Sequence, residues 1–319
     1  VTATDKQRLR IGTRDSVLAR LQTDMVVAAL NGLGQAIEIE IVAQKTSGDK
    51  ILDKPIAELG STGVFVKELE DELLQQRVDL VVHSLKDLPT ELPDGLVLAA
   101  VLKRDDPRDA FLSASGQPFA KMPAGSRIAT SSRRRAAQLG VLRPDVSFVD
   151  VRGNVQTRLR KLDEGQCDAM VLAAAGLIRL GYQERIVELF DTDTSVPAAG
   201  QGALAVECRA ADTKVRQLLA SINDGQVQAE VSAERAFLKY LGGGCSVPIG
   251  VLGRLDHSGN LTLHACVADG KQMVKASTWG PSADGENLGI KLAKKILSDG
   301  ADKILSKASQ ASPQTVSPP

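Results

Sequence analysis

Nine basic residues fall between Arg127 and Lys161: Arg127, Arg133, Arg134, Arg135, Arg143, Arg152, Arg158, Arg160 and Lys161. Only Asp145 and Asp150 oppose them in that stretch. A guanidinium binds carboxylates through a planar two-pronged fork, so a cluster of this kind suits a polyanion. Placement adds to number. Thr130-Ser131-Ser132 stands where a predicted strand ends and a helix begins, so its hydroxyls and free backbone N–H groups converge on the same spot as Arg134 and Arg135. Arg152-Gly153-Asn154 ends the next predicted strand at the same sheet edge, where open α/β folds bind ligands, and Arg158 lies one turn further on. Arg14-Asp15-Ser16 and Lys45-Thr46-Ser47-Gly48-Asp49 repeat the pattern in an earlier unit. Two units with anion-binding strand ends are the pattern of a cleft between lobes. The alternatives are a solvated basic face and a nucleic-acid surface.

Acid–base chemistry has a candidate in His83-Ser84-Leu85-Lys86-Asp87, which directly follows a buried strand. A carboxylate at a strand end facing an arginine-rich cleft can stay charged, stabilise a cation or move protons. The competing readings are a turn cap for Asp87 and a surface lysine for Lys86. Gly242-Gly243-Gly244-Cys245 sets a thiol on a permissive turn, whereas Cys167, Cys208 and Cys266 border or lie in apolar strands. No histidine partner is evident for Cys245, so reactive and structural roles both stay open for it.

The elements that must position these groups follow from hydrophobic period. The chain has 319 residues, 43% hydrophobic and 24% charged, enough for two or three globular domains. Lysine plus arginine (39) balance aspartate plus glutamate (39), and aromatics are 3%, which argues against nucleic acid as a partner. Four cysteines without a CxxC pair and three histidines predict no metal site. No apolar run reaches membrane-spanning length, so no membrane segment is expected. The expected location is cytoplasmic, with an organelle after loss of a transit segment as the alternative.

Strands are predicted at Arg8–Ile11, Ile37–Ala43, Val78–His83 and Leu96–Leu102, with helices at Ser16–Leu30 and Val64–Gln76, the signature of a βαβ layer. The polar run Lys103–Arg108 reads as a crossing between domains. A second α/β unit has strands at Arg127–Thr130, Ser147–Val151 and Ala169–Ala173, with helices at Ser132–Leu139 and Val155–Leu162. After a loop at Asp191–Gln201, the strand Ala203–Cys208 is expected to return to the first sheet. A helix at Glu230–Leu241, an antiparallel pair (Val247–Leu255, Leu261–Val267) and a helix at Asn287–Leu297 make a smaller α+β module. Ser306–Pro319 reads as a disordered tail. The expected boundaries are 1–102 with 199–222, then 103–198, then 223–305, then 306–319.

These segments, taken in order, resemble the porphobilinogen deaminase (hydroxymethylbilane synthase) family. The resemblance rests on Ile11-Gly12-Thr13-Arg14 with Ser16, Thr46-Ser47-Gly48-Asp49, Phe65-Val66-Lys67-Glu68-Leu69-Glu70 and Val82-His83-Ser84-Leu85-Lys86-Asp87-Leu88-Pro89. It continues through Asp106-Pro107-Arg108-Asp109-Ala110, Thr130-Ser131-Ser132 with Arg134-Arg135, Arg152-Gly153-Asn154 with Thr157-Arg158-Leu159, and Ala175-Gly176-Leu177 with Arg179-Leu180-Gly181. Gly200-Gln201-Gly202-Ala203 and Gly243-Gly244-Cys245-Ser246-Val247-Pro248 complete it.

The resemblance implies an α/β fold with two periplasmic-binding-protein-like lobes around a cleft and a smaller α+β C-terminal domain. It implies a dipyrromethane cofactor bound through a thioether to Cys245, and a monomer that joins four porphobilinogens head to tail with loss of ammonia. Asp87, with Lys86, matches the catalytic positions. Arg134, Arg135, Arg158, Ser84, Thr130, Ser131, Ser132 and Lys86 match cofactor contacts, and Arg14, Ser16, Arg152 and Arg179 match substrate contacts. Three positions depart from many relatives: Arg133 stands for Leu, Gly242 for an acidic residue, and Thr62 for a basic residue in a glycine-rich loop. A solute-binding protein for a small anion is the runner-up, although it leaves Asp87, Cys245 and the third module without a role.

Overall fold

The structure is a computed structural model, which describes residues 7–44, 66–243 and 247–310. Lys45 to Asp49, Thr62 and Cys245 lie outside the described residues.

In β1 (Gln7–Arg14), Leu9 and Ile11 are fully buried. Ser16 accepts the Ala19 N–H at 3.2 Å and so caps α1 (Val17–Asn31), which sends Val26 and Leu30 into the same core. β2 (Ile37–Gln44) and β3 (Leu80–Ser84) flank β1, both parallel to it. β3 is buried on both faces: Leu80 and Val82 pack towards α1, and Val81 packs against Leu69 and Leu73 of α2 (Lys67–Leu74). β4 (Leu96–Val101) closes the sheet beyond β10 (Leu204–Arg209), in the order β2-β1-β3-β10-β4.

A second sheet repeats this plan. It contains β5 (Asp109–Ser113), β6 (Arg127–Ala129), β7 (Ser147–Val149), β8 (Ala169–Ala173) and β9 (Glu188–Leu189), in the order β7-β6-β8-β5-β9. Helices α3 (Arg133–Leu142), α4 (Val155–Asp163) and α5 (Ala174–Arg179) follow β6, β7 and β8. Each five-stranded sheet thus has four parallel strands and one antiparallel strand, fourth in the order, that the chain reaches by crossing between lobes. Residues 102–108 lead from β4 to β5, and residues 190–203 lead from β9 back to β10. Both crossings run beside the cleft.

Helix α6 (Thr213–Ala220) packs Val215, Leu218 and Leu219 onto the first sheet. Helix α7 (Gly225–Tyr240) then begins a third unit with an antiparallel meander: β11 (Ile249–Leu255), β12 (Asn260–Ala268) and β13 (Met273–Pro281). Helices α8 (Gly285–Ile296) and α9 (Asp302–Gln310) follow. Phe237, Leu263 and Leu292 are fully buried between the helices and this sheet. The α/β class, the two lobes and the smaller C-terminal unit are as expected, and β10 does return to the first sheet.

Five elements differ from the sequence reading, the short β9 among them. β5 was not expected, because Asp109 at its start is charged; its burial depends on arginines far along the chain. α6 and β13 were also missed. The disorder expected from Ser306 is corrected as far as Gln310, where α9 continues. Its anchor, Ile304, is 1% exposed in the third core and lies before the Ser- and Gln-rich composition starts.

Candidate active site

A cavity of about 690 Å³ opens between the two lobes. Strand ends from both sheets reach it, as open α/β sheets require of a ligand site. From the first lobe come Arg14 and Ser16 after β1, and Ser84, Lys86 and Asp87 after β3. From the second come Arg135 on α3, Arg152 and Arg158 around the start of α4, and Arg179 at the end of α5. Among the described residues, six of the lining side chains are cationic (Arg14, Lys86, Arg135, Arg152, Arg158, Arg179), against the two carboxylates Asp15 and Asp87. Asp15 is itself committed to Arg20 at 2.6 Å. The excess is positive, so the cavity selects an anion with several charges.

Local structure explains the presentation. Asn154 caps α4 by accepting the Thr157 N–H at 2.8 Å. Gly153 before it has φ +119°, and a Cβ there would lie 2.7 Å from Thr157 Cγ2, so only glycine fits. The Gly153 carbonyl in turn accepts Arg158 Nε at 2.8 Å, and the Arg152 carbonyl accepts Lys161 Nζ at 3.2 Å. Arg152 Nη1 is buried without a protein partner. Such a donor is costly to leave unmade, so it is an open position for a carboxylate oxygen. Arg179 gives Nε to Asp105 at 2.8 Å and Nη2 to the Gly202 carbonyl at 2.7 Å, which ties the second lobe to both crossings.

Burial pushes the Lys86 ammonium down to about 8, with Arg135 adding to the effect and Asp87 opposing it. Burial likewise lowers Arg158 to about 10, and again the Arg135 charge adds to it. Like charges held close together out of water are what a polyanionic ligand would relieve.

Arg134 and Arg135 adjoin in sequence and separate in space. Arg135 lines the cavity, whereas Arg134 points to Asp109 and the Val196 carbonyl, is 5% exposed and is not among the lining residues. Thr130, Ser131 and Ser132 are not lining residues either. The Thr130 hydroxyl accepts Ser132 N–H, the Ser131 hydroxyl donates to the Val151 carbonyl, and Ser132 caps α3 through Arg135 N–H. The structure thus gathers nine of the sequence candidates in the cavity lining and leaves these four outside it.

Two residues that sequence reasoning did not assign organise the site. Asp109, fully buried, accepts Arg134 Nη1 and Nη2 at 2.7 and 3.0 Å, Arg135 Nε at 2.7 Å, Ser195 Oγ at 2.7 Å and Gln201 Nε2 at 2.9 Å. Burial alone would raise its carboxyl, but the two arginines and these hydrogen bonds hold it far below the usual carboxylate range. Asp109 opens β5 where the outgoing crossing ends, and Ser195 and Gln201 belong to the returning one, so the carboxylate joins the two. Gln22 is the other: it lines the cavity, is 5% exposed, and gives Nε2 to Ser84 Oγ at 2.9 Å. A polar residue on the buried face of α1 was the available signal. Among the described residues no helix is long and apolar enough to cross a membrane, and no group of His, Cys, Asp and Glu could hold a metal ion.

A family model described as porphobilinogen deaminase, dipyromethane cofactor binding domain, matches residues 9–217, and one described as porphobilinogen deaminase, C-terminal domain, matches residues 228–298. A porphobilinogen deaminase of Geobacter sulfurreducens is 48% identical over 305 residues, covering 95% of each chain. One of Trichlorobacter lovleyi is 49% identical over 301 residues, covering 94% of this chain and 96% of that one. Among solved structures, the methionine-binding protein MetQ is similar with a TM-score of 0.42 and 12% identity, over 69% of this chain and 92% of that one. Two successive models of one family and near-half identity along almost the whole chain establish that this protein belongs to the porphobilinogen deaminase family.

Proposed function

We propose that the six cations of the cleft hold the acetate and propionate groups of the pyrroles while Asp87 serves the reacting centre. The family's reaction, four porphobilinogens joined into hydroxymethylbilane with release of ammonia, is this chain's activity. Arg152 carries the reading: its buried, unpartnered Nη1 in a cavity with a cation excess suits a carboxylate-bearing chain. The same features fit dipyrromethane, itself a carboxylate-bearing pyrrole pair, which when bound supplies the pyrrole α-carbon for extension.

In this reading Arg14, Ser16, Arg152 and Arg179 bind the incoming porphobilinogen. Arg135, Arg158, Ser84 and Lys86 hold the cofactor, and Arg134, Thr130, Ser131 and Ser132 support them from behind. Among the described residues, Asp87 and Asp15 are the only carboxylates lining the cavity, and Asp15 is paired with Arg20. Positive charge on a pyrrole nitrogen as ammonia departs therefore finds Asp87, which also takes the proton released when the new carbon–carbon bond restores the ring. Lys86 beside it holds a carboxylate of the cofactor. Cys245 is the attachment point. The units are assigned as 1–102 with 199–222, 103–198, and 223–305, in a cytoplasmic monomer with no nucleic-acid partner.

Intact-mass measurement tests the assignment. The protein exposed to porphobilinogen should gain two pyrrole units, lost in Cys245→Ser. Asp87→Ala should keep that mass and lose at least about 100-fold in kcat, as removal of a charge-stabilising group does. Unmodified protein, or an active Asp87→Ala, would sink the corresponding role.

A further inference from the structure

Behind the Lys86–Asp87 turn, on the face of the first sheet away from the cavity, lies a buried ionisable cluster that the reaction does not use. His83 Nε2 meets Glu207 Oε2 at 3.1 Å, with His83 5% and Glu207 0% exposed. Glu70 on α2 is 7% exposed and interacts with Glu207 electrostatically. Glu70 Oε1 and Glu207 Oε1 are both buried without a hydrogen-bond partner. Arg235 on α7 feels the Glu207 charge and donates to the Leu88, Pro89 and Thr90 carbonyls at 3.3, 2.7 and 3.2 Å.

The turn is therefore held on both sides of its reacting residues. His83 lies just before it on β3, Arg235 grips the chain just after it, and Glu207 interacts with both. We propose that Glu207 is a positioning residue for the Lys86–Asp87 turn, and that a proton kept on Glu70 holds it in that role. Two ionised carboxylates cannot share a dry site without strong repulsion, and one proton removes it. The proposal rests on Lys86 and Asp87 being the reacting turn.

The groups facing the pair are Asp71 on α2, His83 on β3 and Arg235 on α7; β4 offers apolar Leu98 opposite Glu207. Burial, then Glu207 and Asp71, push Glu70 from its ordinary 4.5 up to about 7. Because folding raises this pKa, the native protein holds a proton that the unfolded chain has lost across that window. The stability contribution is therefore lost as pH climbs from 4.5 to 7, by about 300-fold in the folding equilibrium. The same deprotonation sets Glu70 against Glu207 and loosens the clamp.

The test compares Glu70→Gln, Glu207→Gln and the parent between pH 6 and 9, all loaded with porphobilinogen. Glutamine mimics the protonated acid, so the kcat ratio of Glu70→Gln to parent should rise through pH 7, by up to about 10-fold, with KM moved less than about twofold. Its urea midpoint should lose the parent's decline between pH 5 and 8. Glu207→Gln should lose about 10-fold in kcat at every pH while keeping the two-pyrrole mass. An infrared carbonyl band of a protonated acid at pH 6, absent in Glu70→Gln, reads the proton without reference to turnover. Because Glu207→Gln disturbs a buried pair and can fail to fold, the decision lies with Glu70→Gln. A flat kcat ratio, or no such band, overturns the proposal. An active Asp87→Ala would instead overturn the role of the turn while leaving the band in place.

Discussion

Replacing Asp109 by asparagine should destabilise the protein more than any change within the cavity. The carboxylate is fully buried and receives two arginines, a serine hydroxyl and a glutamine amide, with every donor at 2.7–3.0 Å. Asparagine keeps the shape but replaces one acceptor oxygen with an NH2 group that opposes an arginine donor, and leaves Arg134 and Arg135 buried without the carboxylate they share. Breaking a buried ion cluster from one side costs about 3–5 kcal/mol, a large share of the ~5–15 kcal/mol that keeps a domain folded. Urea unfolding followed by circular dichroism measures it. The pH dependence is a second constraint. Folding depresses this carboxyl, so its contribution is present above its ordinary 3.8 and lost only as pH falls through the lowered folded value. The gap between parent and variant should be constant from pH 5 to 8 and narrow only in acid. Affinity for porphobilinogen should fall as well, since Arg135 loses its support. A loss under about 1 kcal/mol with unchanged denaturant sensitivity would refute the claim that Asp109 organises the crossings.

Two further outcomes follow from the cavity. Lys86, pushed down to about 8, should lose its charge above that pH, so porphobilinogen affinity should weaken through pH 8 in the parent and stay level in Lys86→Arg; parallel profiles would exclude Lys86 from anion binding. Arg152→Gln should raise KM at least about 10-fold, with stability unchanged or improved, because the donor it removes has no partner in the free protein; a marked drop in the urea midpoint would show the side chain to be structural.

Much of this protein can be read from its sequence, because the relevant physics is local. Alternating or continuous apolar residues placed β1, β2, β3, β8 and β10 to within a few residues, since side-chain period follows from backbone geometry. Thr130-Ser131-Ser132 announced a helix start, because a cap satisfies N–H groups only two or three residues away. The motif order carried the family, and with it the strand ends that line the cleft.

What the sequence left open depends on partners far apart in the chain. Arg134 and Arg135 look alike as neighbours, but one step along a helix turns a side chain by about 100°, so packing decides which of them faces the cavity. Asp109 reads as an exposed charge until folding brings Arg134 and Gln201 to it across 25 and 92 positions. For the same reason β5 was invisible: its buried acid is tolerable only with those arginines in place. Residue types and their local geometry were thus set by the sequence alone. Which cations reach the substrate and which hold the crossings together was decided by tertiary structure, because a buried charge takes its role from whatever packs against it.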